Sequence, residues 1–347
     1  MKDKEIIYIR VDANEQIAMG HLMRTLSIAE AIREEGGDCC FITADSQGHE
    51  KIRSRNFEVI CLESAWNNLE QELGAMTALI KERNIRCILL DSYFVTPKYM
   101  DELSKITKLV YIDDIKAFNY SCAAIINYVI GETGEDYSYF EGALYMGAQY
   151  VPLRKEFSEV QTNALASELK KIMVTTGGAD MYHFGKRFLE AILADERFEK
   201  YDITLVVGSK NADKEYLLDT YGEKSGVNIL VDATNMSELM EAADCMVSAG
   251  GTTLYEACAC KTPTISYSLA DNQLTNVKRF DSLGALYYAG DIREGMSDVI
   301  QNILNRLQEM KTVQLRKDIA ESMEKVVDGK GAYRIARILR DMVLEAK

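Results

Sequence analysis

Proline, histidine and tryptophan are scarce in this chain: 3, 3 and 1 among 347 residues. With so few prolines and no low-complexity tract, a long linker is not expected. Long apolar runs are missing too. None approaches the roughly 20 residues of a membrane-spanning helix. Positive charge is in deficit, with 40 Lys and Arg against 54 Asp and Glu and a formal net charge of -14. That balance argues against a nucleic-acid backbone or an anionic membrane as the main partner. It leaves room for a small anion, which needs only a local cradle of backbone N–H groups. The 8 cysteines contain no C-x-x-C pair; Cys39 and Cys40 are adjacent, and Cys258 and Cys260 are two apart. Most lie in apolar runs such as Cys39–Ile42, which reads as buried free thiols rather than metal ligands or disulfides. Met1–Glu5 lacks the apolar stretch of a secretion signal, so a cytoplasmic location is expected. Neither charge nor motif fixes an oligomeric state, and a monomer is compatible with both.

The chain is long enough for two domains, each with its own core. Short, near-continuous apolar runs alternate with amphipathic helical stretches from end to end. In the first half the candidate strands are Ile6–Val11, Cys39–Thr43, Val59–Leu62, Cys87–Asp91, Leu109–Asp113, Ala123–Tyr128 and Leu144–Gly147. In the second they are Lys171–Thr176, Ile203–Gly208, Asn228–Val231, Cys245–Ala249, Thr264–Ser268 and Ala285–Ala289. Such runs suit parallel strands buried on both faces, and the strand–helix alternation implies an α/β fold of βαβ units. The pattern restarts at Lys170–Val174, after the polar stretch Phe157–Lys170. This predicts two Rossmann-like domains, residues 1–160 and 161–330, with parallel sheets facing a central cleft. Residues 331–347 carry Ile335, Ile338, Leu339, Met342 and Val343 on one helical face, a candidate to pack back on the N-terminal domain.

The first strand leads through a polar loop into a helical pattern that opens with Gly20, His21 and Arg24. A histidine in a first helical turn feels a dipole that disfavours its charged form, so a neutral ring can serve as general base. Arg24 lies one turn on, and Arg10 and Asp12 flank the strand end. A capping or packing histidine among surface charges is the bland alternative.

Two glycine pairs end strands in the second half: Thr176-Gly177-Gly178-Ala179-Asp180 and Ala249-Gly250-Gly251-Thr252-Thr253. Both precede helical stretches, Phe184–Leu193 and Leu254–Ala259. Glycine lets backbone N–H groups approach an anion at a helix start, and Thr252 and Thr253 add hydroxyls. Glu256, on the same helix, could accept ribose hydroxyls. Neither loop matches a P-loop or a G-x-G-x-x-G fingerprint, and ordinary turn chemistry explains each pair alone. Asp91-Ser92-Tyr93 and Asp113-Asp114 fall at predicted strand ends, the ligand edge of open α/β sheets. Asp114 reads as a cap or turn residue, while Asp91 and Asp113 stay open between chemistry and structure. Asp271-Asn272-Gln273 suits sugar hydroxyls or a plain polar loop. His49 and His183 read as surface or loop residues, and Trp66 carries no signal.

Together these residues resemble the hydrolase family of the pseudaminic acid pathway, which removes UDP from UDP-2,4-diacetamido-2,4,6-trideoxy-β-L-altropyranose. The resemblance runs through Arg10-x-Asp12, Gly20-His21-x-x-Arg24, Asp91-Ser92-Tyr93, Ile112-Asp113-Asp114, Gly177-Gly178-x-Asp180, Ala249-Gly250-Gly251-Thr252-Thr253-x-Tyr255-Glu256 and Asn272-Gln273. Spore-coat polysaccharide biosynthesis proteins share it. The second domain also resembles the nucleotide-binding half of the peptidoglycan N-acetylglucosaminyltransferase, a glycosyltransferase B-type fold. The resemblance implies that His21 activates water for an inverting attack at the anomeric carbon. It implies that Gly177, Gly178, Gly250, Gly251, Thr252 and Thr253 hold the diphosphate, Glu256 the ribose, and backbone near Asn235-Met236 the uracil. Arg10, Asp12, Gly20, Arg24, Asp91, Tyr93, Asn272 and Gln273 fall to the substrate. No metal or other cofactor is implied. Where the family commonly reads Asp-Ala-Ser and Ile-Gly-x-Gly-His, this chain has Asp12-Ala13-Asn14 and Ile17-Ala18-Met19-Gly20-His21. Three functions follow for test: a UDP-sugar hydrolase, a glycosyltransferase using a UDP-sugar donor, and a non-catalytic UDP-sugar binder.

Overall fold

The computed structural model describes residues 6–14, 16–17, 19–160 and 165–345. Ala18, the segment Met1–Glu5 and residues 161–164 around the expected domain boundary lie outside them. The chain forms two compact units, one comprising the part up to Lys155 together with the part from Gly329 onward, the other Glu156–Asp328.

The first unit holds seven parallel strands: β1 (Ile6–Val11), β2 (Asp38–Thr43), β3 (Glu58–Cys61), β4 (Cys87–Asp91), β5 (Lys108–Ile112), β6 (Ala124–Asn127) and β7 (Ala143–Met146). Their order is β3-β2-β1-β4-β5-β6-β7. Between them run α1 (Gly20–Glu34), α2 (His49–Ser54), α3 (Leu73–Arg83) and α4 (Pro97–Ser104). The second unit has β8 (Lys171–Thr175), β9 (Asp202–Val207), β10 (Val227–Val231), β11 (Cys245–Ala249), β12 (Thr264–Ser268) and β13 (Tyr287–Asp291), in the order β10-β9-β8-β11-β12-β13. Its helices are α5 (Phe184–Ala194), α6 (Lys214–Tyr221), α7 (Met236–Ala242), α8 (Thr253–Cys260), α9 (Asp271–Ser282), α10 (Ile292–Glu309) and α11 (Val313–Val326). The last helix, α12 (Gly331–Glu345), belongs to the first unit; it buries Ile335, Ala336 and Leu339, packs along α1, and pairs Arg337 Nε with Glu35 Oε1 at 2.8 Å.

The strand-like apolar runs become strands because both faces of each sheet are covered: Ile7, Ile9 and Val11 of β1, and every residue of β4 and β11, are buried. β13 forms two residues later than its pattern predicts. Gly284, at φ +68°, ends α9, and the N–H of Ala285 closes that helix on Phe280 O at 3.0 Å. Each sheet reverses its strand order once, between β1 and β4 and between β8 and β11. Open α/β sheets bind ligands at the carboxyl ends of the strands flanking such a reversal.

A buried charge network closes the first of these ends. Arg10 is fully buried in β1. Its Nε and Nη2 donate to Glu72 Oε1 and Oε2 at 2.7 and 2.8 Å, and its Nη1 to Asp12 Oδ2 at 2.6 Å. Tyr99 Oη and Ser64 Oγ also donate to Glu72, each at 2.8 Å. Asp12 Oδ1 accepts from the backbone N–H of Ala44 at 2.7 Å. Burial opposes the Arg10 charge, but Glu72 and Asp12 outweigh it and hold the guanidinium protonated. Arg10 and Asp12, expected to face substrate, are therefore committed to the frame. Asn14 carries out a similar task locally: its Oδ1 accepts from the N–H groups of Gln16 and Ile17 at 2.9 and 3.0 Å.

Glu72→Ala strips the buried guanidinium of its two-pronged partner. A stability loss of about 3–5 kcal/mol is expected, seen as a lower urea midpoint at unchanged slope. A loss below about 1 kcal/mol would show that the network is dispensable to the fold.

Candidate active site

β1 and β4 end side by side, with Val11 in register with Asp91. Asp91 thus lies where the loop after β1 turns into α1. His21, in the first turn of α1, brings Nδ1 to 2.6 Å from Asp91 Oδ1. Arg24 follows one turn later and grips the same carboxylate with two prongs, its Nε to Oδ2 at 2.6 Å and its Nη2 to Oδ1. Asp91 is 1% exposed and His21 7%. Burial alone raises the Asp91 pKa, but the Arg24 charge and the bonds from Arg24 and His21 reverse that and leave it below the ordinary aspartate value.

The geometry fixes the imidazole tautomer. A carboxylate can only accept, so at 2.6 Å a proton must sit on Nδ1, and in the neutral ring the lone pair is then on Nε2. Arg24 Nη2 is 3.0 Å from the same Nδ1 and can only donate; it lies beside the ring without bonding that nitrogen. Arg24, expected to bind substrate, instead directs its remaining donors to Asp114 Oδ2 at 3.1 Å and to Tyr128 Oη. Tyr93 stands edge-on to His21, ring centroids 4.5 Å apart at 80°, and its hydroxyl donates to Asp114 Oδ2 at 3.0 Å. Burial and the neighbouring Asp114 raise the Tyr93 pKa, so it stays a phenol. The start of α1 is open: Met19 provides no side-chain cap, and a Cβ built on Gly20 would meet nothing within 4 Å.

Of the two neighbouring aspartates, Asp114, read from the sequence as a cap or turn residue, is the one that differs, and Asp113, left open there, resolves to structure. Asp114 belongs to the histidine cluster. Asp113 is structural: its Oδ1 accepts from the N–H groups of Ile115 and Lys116, each at 3.0 Å, and its Oδ2 from Tyr137 at 2.7 Å. His49 is buried rather than on the surface, with Nε2 2.9 Å from Thr43 Oγ1. His183 lies in the exposed turn before α5 and pairs with Asp213 Oδ2 at 2.6 Å. Trp66 packs edge-on against Phe94. Tyr128 and Glu72 were missed. Tyr128 ends a predicted strand, so the strand-end rule could have raised it; Glu72 had no signal.

In the second unit the two glycine pairs follow β8 and β11, at the reversal of strand order. They are not equivalent. Gly177 adopts φ +79°, which favours glycine, and leads to Asp180, whose two oxygens accept the N–H groups of Phe184 and Gly185 at 2.9 and 2.8 Å. The start of α5 is thereby occupied by a carboxylate of the chain itself. Gly250 is glycine because α9 presses on it: a Cβ there would lie 2.2 Å from Val277 Cγ2. Gly251 is open, and the first turn of α8 has no side-chain cap from Thr252. A pocket of about 240 Å³ lies here, lined by Gly177, Gly178, Gly251, Thr253 and Gln273 among others. Met236, Gly250, Thr252, Glu256 and Asn272 are not among its lining residues. Glu256 sits in the first turn of α8, Met236 opens α7, and Asn272 is exposed in the first turn of α9.

Asp91→Asn keeps the shape of the buried pair and removes its charge. Folding lowers the Asp91 pKa, so its contribution is complete at neutral pH and is lost as pH falls below the unfolded value of about 3.9. The stability gap between wild type and Asp91→Asn, about 3 kcal/mol at neutral pH, should stay level down to roughly pH 4 and shrink below it. A gap that already narrows between about pH 7 and 6 would contradict the pairing.

Residues 171–331 match the model of the glycosyltransferase family 28 C-terminal domain. Spore coat polysaccharide biosynthesis protein SpsG of Bacillus subtilis is 24% identical over 346 residues, 96% of this chain and 97% of that protein. A Helicobacter pylori protein named pseudaminic acid cytidylyltransferase and UDP-2,4-diacetamido-2,4,6-trideoxy-beta-L-altropyranose hydrolase is 27% identical over 207 residues, 57% of this chain and 36% of that protein. An uncharacterised protein of Methanocaldococcus jannaschii is 26% identical over 269 residues, so the chain spans 53% of that relative's length. Among solved structures, Acinetobacter baumannii MurG superposes with a TM-score of 0.70 at 11% identity, over 97% of this chain and 99% of that one; this is a likeness of fold. Among the described residues no helix is long and apolar enough to cross a membrane. The chain is thus a relative of the spore-coat and pseudaminic acid proteins, built as a two-domain α/β protein of the glycosyltransferase B type.

Proposed function

We propose that this protein is a nucleotide-sugar hydrolase. It releases UDP from a UDP-linked 2,4-diacetamido-2,4,6-trideoxyhexose by attack of water on the anomeric carbon, in the making of a nonulosonic acid of the pseudaminic type. The observation that carries this reading is the His21–Asp91 pair, with Nδ1 committed to a buried carboxylate and Nε2 left basic. In the reaction His21 Nε2 takes a proton from water. The water oxygen bonds to the anomeric carbon, the bond from that carbon to the phosphate oxygen breaks, and its electron pair leaves with UDP. Attack on the face opposite the leaving group inverts the centre. Asp91 orients the ring and stabilises the imidazolium as it forms.

The leaving diphosphate needs donors rather than a proton. Thr252 and Thr253 at the start of α8, which has no side-chain cap, supply them, helped by Gly177 and Gly178, while the N–H groups of Gly250 and Gly251 shape the turn by closing on Tyr267 O and Ala249 O at 2.9 and 2.8 Å. Glu256 takes the ribose and backbone near Met236 the uracil, as the family resemblance implies. Tyr93, Asn272 and Gln273 contact the sugar. Two relatives support the pathway by name, the Helicobacter pylori hydrolase and the polysaccharide biosynthesis protein SpsG.

A second reading has its own observation. The matched C-terminal domain is that of a glycosyltransferase family, in which an acceptor hydroxyl would replace water. One assay separates the two. With the UDP-sugar alone in ¹⁸O-water, the hydrolase releases UDP and places the label on the sugar. His21→Ala should lower kcat by about 100-fold or more. Turnover that waits for an added acceptor establishes the transferase, and undiminished activity of His21→Ala removes the assigned base.

A further inference from the structure

The reversal of strand order in the first sheet leaves a crevice outside the ends of β1 and β4. The crossovers from β1 to β2 and from β3 to β4 run in opposite directions, and right-handed connections then put α1 and α3 on opposite faces of the sheet. His21 and the start of α1 form one wall. The other wall belongs to the loop between β3 and α3, which carries Trp66. The loop after β4 reaches both. In it Tyr93 stands against His21, while the next residue, Phe94, packs on the core that includes Met76 of α3 and Tyr99 of α4. Phe94 also meets the Trp66 ring edge-on, centroids 5.0 Å apart at 86°.

The Trp66 loop is pinned. β3 runs out into Glu63, at φ +54°, a left-handed conformation that a glutamate keeps only where its surroundings enforce it. The N–H of Ser64 then donates to Ala44 O at 2.9 Å, and Ser64 Oγ to Glu72 Oε2 at 2.8 Å, which ties the loop to the network around Arg10. On this frame the indole is half-buried. Among the described residues its N–H has no hydrogen-bond partner, and it is not sealed from solvent. Asn67 and Asn68 beside it are exposed. A buried indole ordinarily pairs its N–H; this one keeps an apolar ring and an unused donor together.

We propose that Trp66 reads an acylamino group on the sugar of the substrate. The ring takes the acyl methyl and the N–H donates to the amide oxygen, so that this unit selects an N-acylated sugar over a hydroxylated one. A hydroxyl in that place would meet only the polar half of the contact. The proposal rests on the nucleotide-sugar reading given above and adds a residue that no motif suggested.

The chain has 1 tryptophan, so its emission reports on Trp66 alone. Full-length His21→Ala, used so that the sugar stays attached, is titrated with UDP, UDP-glucose and the UDP-linked 2,4-diacetamido-2,4,6-trideoxyhexose, with calorimetry in parallel to measure binding. The diacetamido sugar should shift the emission to shorter wavelength as water leaves the indole. UDP and UDP-glucose should leave it in place when bound. With His21 intact, Trp66→Phe keeps a ring against Phe94 and loses only the donor. It should lower kcat/KM for the diacetamido substrate about three- to tenfold through KM, the scale of one hydrogen bond, and leave inhibition by UDP within about twofold. Unchanged emission when the diacetamido sugar binds, or an equal shift with UDP or UDP-glucose, overturns the proposal and leaves the nucleotide-sugar reading intact. So does a Trp66→Phe protein in which UDP inhibition weakens as much as kcat/KM, since that marks a structural role. Protein that binds none of the three compounds overturns the nucleotide-sugar reading and this proposal together.

Discussion

One buried carboxylate organises the first unit's chemistry. Asp91 ends the strand beside β1, so it meets the start of α1 by register alone. A carboxylate there would be costly without compensation. Arg24 compensates it with two bonds, and His21 takes a third. From that hold the remaining arrangement follows. Arg24 reaches onward to Asp114 and Tyr128, Asp114 receives the hydroxyl of Tyr93, and Tyr93 stands against the edge of the imidazole. Losing the Asp91 charge would release the ring, the guanidinium and the phenol together.

In the second unit the local question is what fills each helix start. Two glycine turns lead to two helix starts, and a sequence motif treats them alike. The chain's own Asp180 fills one start and leaves the other open. A helix end with a resident carboxylate no longer attracts phosphate, so the two glycine turns, alike in sequence, differ in what their helix starts can offer.

The strands were legible because burial on both faces demands continuous apolar runs, and the runs at Cys87–Asp91, Cys245–Ala249 and Thr264–Ser268 have the bounds found in the structure. His21, Asp91 and Tyr93 drew notice because strand ends and helix starts mark the ligand edge, and the structure brings the three side chains together. What failed was direction and partnership. Arg10 was given to substrate by the family resemblance; its partner Glu72 is 62 residues away, and periodicity says nothing about such pairs. Asp113 and Asp114 are adjacent, and only the path of the chain beyond β5 decides which one turns to Arg24. His49 finds Thr43 across a turn, a contact that no spacing rule encodes. Asp180 was within reach, since an aspartate shortly before a helix is a common cap.

The central claim is that Asp91 sets the His21 tautomer and leaves Nε2 as the base. Nitrogen-15 spectroscopy of the imidazole side chains reads this directly, with only 3 histidines to assign. At a pH where the rings are neutral, the account predicts His21 with its proton on Nδ1 and a bare Nε2, and loss of that preference in Asp91→Asn. A His21 ring protonated on Nε2 in the wild-type protein would contradict it.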